Sequence, residues 1–144
     1  MTVPLEGLLT EQHRGLDALL GRFLTAVHGG AVEPAREAMA AFDEQLRRHM
    51  TLEEESLIPE AGGHSLAPGG EESDRERLGR ELRLEHVQIR ELSGMMRRVL
   101  EEKGGIEAAR RLFPNLARRW DAHTEKEELS ILLPPPLDAT PPRP

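Results

Sequence analysis

Two segments of the chain carry the same pattern, His49-Met-Thr-Leu-Glu53 and His123-Thr-Glu-Lys-Glu127, in which a histidine and a glutamate stand four residues apart. Each Glu is followed by a second Glu and, within about seven positions, by Leu, Ile and Pro. Upstream of each lies a further histidine, His13 and His86, at separations of 36 and 37 residues. Positions i and i+4 share one face of a helix, so a repeat of this kind predicts two similar helical hairpins facing each other. Four imidazoles and two carboxylates then converge, which is a dinuclear metal site in outline.

Composition agrees with helices and narrows the chemistry. Leu, Ala, Glu and Arg dominate, β-branched residues are few, and only 3% of the 144 residues are aromatic, which favours an all-α fold. The net charge of −7 argues against a nucleic-acid binder, which needs a basic surface. The Arg pairs 47–48, 97–98, 110–111 and 118–119 are interleaved with Glu and Asp and read as solvated, ion-paired helix faces. With no Cys, disulfides, Cys-held iron–sulfur clusters and thiol catalysis are excluded. No stretch reaches the roughly 18 apolar residues of a membrane span, so the expectation is a cytoplasmic protein with no membrane partner.

Hydrophobic periodicity predicts four helices. The first runs from about Leu5 to His28, with Leu9, His13, Leu16, Leu20, Phe23 and Val27 on one face and Gly29-Gly30 as its end. The second begins near Val32–Pro34 and reaches about Glu60, with a stripe of Met39, Phe42, Leu46, His49, Glu53 and Leu57. Residues Gly62–Gly70 read as a loop carrying His64, and Ser73 with Glu76 as a capping box. The third helix carries Leu78, Leu82, His86, Ile89, Met96 and Val99 or Leu100, and Lys103-Gly104-Gly105 is expected to close it. The fourth carries Leu112, Leu116, Trp120, His123, Glu127 and Ile131. Pro114 implies that this helix starts there or is joined to a preceding turn through a kink. The expected architecture is an up-down-up-down antiparallel four-helix bundle over residues 1–133, followed by a Pro-rich extended tail at 134–144.

The six repeated residues make a chemical demand on such a bundle. His49 and Glu53 lie on the stripe that holds Leu46 and Leu57, and His123 and Glu127 lie between Trp120 and Ile131. An unpaired carboxylate on an apolar face costs several kcal/mol. A single histidine on such a face is ordinarily a satisfied core residue; four at matching heights, two of them with the same i+4 Glu, call for a shared compensating charge. A pair of divalent cations supplies it. Imidazole and carboxylate suit iron, and also manganese, zinc or copper. Four protein ligands per metal leave room for an oxide or hydroxide bridge and an exogenous ligand. His28, beside the Gly pair, falls outside the pattern and reads as a helix-end residue. A ferritin-like carboxylate bundle needs Glu-x2-His on two helices and does not match.

With His on helix one, His-x3-Glu on helix two, His on helix three and His-x3-Glu on helix four, the chain resembles the hemerythrin-like, or HHE cation-binding, family from about Leu5 to Pro134. The resemblance implies two non-heme iron ions, oxo- or hydroxo-bridged, with manganese or zinc as possible substitutes. His13 and His49 would bind one iron, His86 and His123 the other, and Glu53 and Glu127 would bridge them. Oxygen-carrying hemerythrins have a fifth histidine one turn before the third-helix ligand, where this chain has Leu82. The symmetric set left is similar to the iron–sulfur-cluster repair branch and to several bacterial HHE proteins, although the repair proteins usually add a Cys-bearing segment. Asp17, i+4 from His13, reads as a surface acid or as an acceptor orienting an imidazole. Arg90, i+4 from His86, reads as a boundary residue or as a cover over the site.

The resulting expectation is a protein that binds, senses or scavenges O2, NO or peroxide, or buffers iron, in preference to a dedicated enzyme. With no DNA-binding or signalling module in the sequence, storage, scavenging or buffering is favoured over direct signalling. The alternatives are a diiron enzyme or iron donor for nitrosative or oxidative stress and cluster repair, and a metal-free interaction bundle with the Pro-rich tail as its docking peptide.

Overall fold

A computed structural model of the chain describes residues 5–56 and 74–129. These form four helices and, among the described residues, no strand: α1 (Leu5–His28), α2 (Val32–Ser56), α3 (Asp74–Leu100) and α4 (Gly105–Glu127). At 23–27 residues each spans roughly 35–40 Å.

Cross-helix pairs fix the topology. Asp43 meets Ser93 while Glu53 meets Glu54's partner His86, so α2 and α3 run in opposite directions. Glu85 meets His123 and Gln88 meets Arg119 across α3 and α4, and His13 meets Glu127 while Asp17 meets Trp120 across α1 and α4. The link between α1 and α2 is a Schellman turn. Gly30 takes φ 68°, Ala31 N–H donates to Ala26 C=O and Gly30 N–H to Val27 C=O. Each helix thus packs on its chain neighbours, with α4 closing back on α1.

The expected stripes are the buried ones. Leu16, Leu20, Phe23 and Val27 of α1 meet Met39, Phe42 and Leu46 of α2, Ile89, Met96 and Leu100 of α3, and Leu116 and Trp120 of α4 in one continuous apolar cluster. Each fully buried Leu, Met or Phe contributes about 1.5–3 kcal/mol. Leu78 and Leu112 are only half-buried. One charge away from the repeated residues, Asp43, is also buried, and it is satisfied: Ser93 Oγ and Arg97 Nη1 each donate to it at 2.9 Å.

Two expectations about helix ends are corrected. Gly105 does not close α3: that helix stops at Leu100, a turn covers residues 101–104, and Gly105 opens α4. Close packing against the end of α3 requires glycine there, since a Cβ at Gly105 would lie 1.7 Å from Val99 C=O. Pro114 neither starts α4 nor splits it; the helix runs through it, with the proline on the exposed side and Leu116 on the core side. The far end of helix two with Leu57, the Gly62–Gly70 loop with His64, the Ser73 cap, Ile131 and the tail at 134–144 lie outside the described residues.

Candidate metal centre

The same periodicity that buries the leucines carries His13, His49, His86 and His123 inward, one from each helix. These four, with Glu53 and Glu127, are at most 2% exposed. The layer they form separates the main apolar cluster from Leu9 and Leu82, which are fully buried on its other side. Trp120 forms the floor on the cluster side, its ring centroid 5.6 Å from that of His13, 6.0 Å from His49 and 6.2 Å from His123.

Within the layer, Nε2 of every imidazole faces the carboxylates. His13 Nε2 lies 3.0 Å from Glu127 Oε1, His86 Nε2 3.0 Å from Glu53 Oε1, His49 Nε2 3.1 Å from Glu53 Oε2 and His123 Nε2 2.9 Å from Glu127 Oε2. Two sets of four donors result, His13, His49, Glu53 and Glu127, and Glu53, His86, His123 and Glu127, each with ligand atoms within 4.8 Å of one another. The two carboxylates belong to both sets.

The outward nitrogens settle the tautomers. His49 Nδ1–H donates to Gln12 Oε1 at 2.8 Å, His86 Nδ1–H to Glu54 Oε2 at 2.7 Å, His123 Nδ1–H to Glu85 Oε1 at 2.8 Å and His13 Nδ1–H to Glu128 Oε2 at 3.1 Å. Each acceptor sits beside a cluster residue in sequence but serves the histidine of the next helix, so the four bonds run once around the bundle. A neutral imidazole held in this way aims its Nε2 lone pair inward, as a metal ligand requires.

The inner groups satisfy one another only in part: His13 Nε2 is hydrogen-bonded to Glu127 Oε1 and His86 Nε2 to Glu53 Oε1. Glu53 Oε2, Glu127 Oε2 and His123 Nε2 are buried with no hydrogen-bond partner, although their neighbours are near. His13 Nε2 and His49 Nε2 approach to 3.0 Å, a contact that requires a proton on one of the two nitrogens. Donor atoms from all four helices thus crowd one centre, and three of them find no hydrogen bond there. The donor set therefore fits divalent cations, which would relieve both the buried negative charge and the orphaned atoms.

Without a cation, protons would have to supply that positive charge. Burial by itself lowers an imidazole's pKa, but the Glu127 and Glu53 carboxylates facing the rings outweigh it: His49 is raised, His86 is pushed up to about 9 and His123, with Glu85 added, to about 11. Burial likewise raises a carboxylate, yet the surrounding imidazoles hold Glu53 below the ordinary range and Glu127 well below it. With pKa values pushed above 7, His86 and His123 would have to release protons in order to hold a metal at that pH. Loading a divalent metal at pH 7 is expected to acidify an unbuffered solution, with fewer protons released as the pH rises through about 9 and then 11. A pH-stat titration measures this; loading without proton release at pH 7 would contradict a protonated cluster.

All six repeated residues are thus brought together, and the other candidates are not. Asp17 orients no imidazole; it accepts the indole N–H of Trp120 at 2.7 Å and so holds the floor of the layer. Arg90 is exposed and does not cover the site, and His28 is exposed at the end of α1. The acceptors Gln12, Glu54, Glu85 and Glu128 escaped the sequence reading, although each adjoins a repeated residue.

The fold and the buried His/Glu layer define a four-helix protein of the cation-binding type. The hemerythrin HHE cation-binding domain family matches residues 6–134, and the chain belongs to that family. No curated protein and no solved structure matches it. Among the described residues, no helix is long and apolar enough to cross a membrane.

Proposed function

We propose that His13, His49, Glu53, His86, His123 and Glu127 hold two iron ions, and that the protein binds, senses or scavenges a small ligand such as O2, NO or a peroxide, or keeps iron in reserve. In this reading His13 and His49 serve one iron, His86 and His123 the other, and Glu53 and Glu127 both. The observation that carries it is the inward aim of four Nε2 atoms, each enforced by an acceptor on Nδ1, around buried carboxylate oxygens left without hydrogen bonds. A bound iron pair would supply open coordination positions and electron exchange. The chain's own residues orient the donors and exclude water: Leu9, Leu82 and Trp120 enclose the layer. Manganese and zinc suit the same donors.

Titrating the ferrous-loaded protein with NO and with O2 tests this reading. A spectral change that reverses on removing the ligand supports binding or sensing. Sustained consumption with an added reductant would move the protein to the alternative, a diiron enzyme or iron donor in nitrosative or oxidative stress. That alternative draws no support from Cys or Tyr, which the sequence lacks.

Leu82 gives a test of register. It is fully buried on α3 one turn before His86, where oxygen-carrying hemerythrins place a histidine. Leu82→His is expected to add an imidazole to the His86 half and shift the absorption of the iron-loaded protein. An unchanged spectrum at full iron occupancy would contradict the assigned position of Leu82.

A further inference from the structure

The two halves of the layer are alike in shape and unlike in what holds them. The His13 and His49 rings stand 4.6 Å apart at 67°, and the His86 and His123 rings 4.7 Å apart at 67°. The internal repeat pairs Glu54 with Glu128, carboxylates that hold His86 and His13. It also pairs Gln12 with Glu85, and here it breaks: His49 is held by a neutral amide, His123 by a carboxylate.

A carboxylate acceptor raises the basicity of the imidazole it holds and an amide does so less, and changes at such acceptors shift metal affinity by about 10–100-fold. The surroundings differ in the same sense. Gln12 lines a cavity of about 190 Å³ with Leu16, Gln45 and Arg48, so the side chain that holds His49 is also a wall of an opening between α1 and α2. On the other half, Lys126 bonds Glu85 from the outside and fixes it over His123.

We infer that Gln12 makes the two halves unequal, so that the metal served by His13 and His49 is the exchangeable one and is reached through the cleft beside Gln12. This rests on the two-metal reading above. Gln12 acts as a positioning residue through His49 and is not itself a ligand.

The experiment is iron release from the loaded protein into a chromophoric ferrous chelator, followed by absorbance. Two phases of equal amplitude are expected, one iron per chain in each. Gln12→Glu should slow the fast phase by about 10-fold or more and leave the slow one, while Glu85→Gln should speed the slow phase alone. Slower release is the opposite of what a damaged structure gives, so the Gln12→Glu result separates tuning from misfolding. A single release phase, or a fast phase indifferent to Gln12→Glu, overturns the inference while the two-metal reading stands. A protein that takes up no iron overturns both.

Discussion

Glu127→Ala is expected to cost the protein its metal and much of its thermal stability together. The Glu127 carboxylate lies within 3.0 Å of His13 Nε2 and 2.9 Å of His123 Nε2, and within 3.8 Å of the other two Nε2 atoms. Removing it takes a donor from both sets of ligands and leaves imidazoles without their counter-charge. Breaking a buried charge pair from one side costs about 3–5 kcal/mol. Loss of metal linkage removes about 4 kcal/mol more if metal had been present at a thousand times its Kd. A fall in Tm on the order of 10 °C or more follows for a chain of this size, and adding metal should not restore it. His49→Ala should act in the same direction. His28→Ala, at the exposed end of α1, should change stability by no more than about 0.5 kcal/mol. Metal content and thermal melts on the three variants check this; full occupancy with an unchanged Tm in Glu127→Ala and His49→Ala would remove the site.

Gly105→Ala should be the most damaging single-methyl change away from the layer. Its Cβ would fall 1.7 Å from Val99 C=O and 2.7 Å from Val99 carbonyl carbon, both backbone atoms at the end of α3 that cannot rotate aside. The α3–α4 turn would have to open, displacing Leu100 and Ala109 from the core they share. Overpacking of this kind costs about 1–3 kcal/mol even where side chains can adjust, so the upper end of that range is expected. Gly21→Ala is the matched contrast: nothing lies within 4 Å of its Cβ, and in a helix interior the change should stabilise by about 0.5–1 kcal/mol. Denaturant melts of the two variants should therefore move in opposite directions. Equal or same-sign shifts would contradict the close approach at Gly105.

The helices and the six inward residues were legible because burial in a bundle imposes a period that the sequence must display. Leu9, His13 and Leu16 share a face whatever the partner helix is, and the repeat in α2 and α4 matched the two hairpins. What escaped reading depends on the rotation and height of one helix against another. Gln12 adjoins His13 yet holds His49, and Glu85 adjoins His86 yet holds His123, so no spacing within one helix reveals either. Asp17 has the i+4 relation to His13 that suggested an imidazole partner, but the packing of α1 on α4 delivers it to Trp120 instead. The end of α3 is not legible in the sequence because Gly104 and Gly105 look alike there. Only the packed turn separates them: Gly104 adopts φ 74°, and Gly105 meets the Val99 backbone.

The central claim is that four imidazoles and two carboxylates hold two cations per chain. Elemental analysis of protein produced with iron supplied, expressed as metal atoms per chain, tests it most directly. About two irons per chain is the predicted result. A folded protein that carries no metal and takes up none on reconstitution would contradict it and return the histidines to the core as proton-bridged packing.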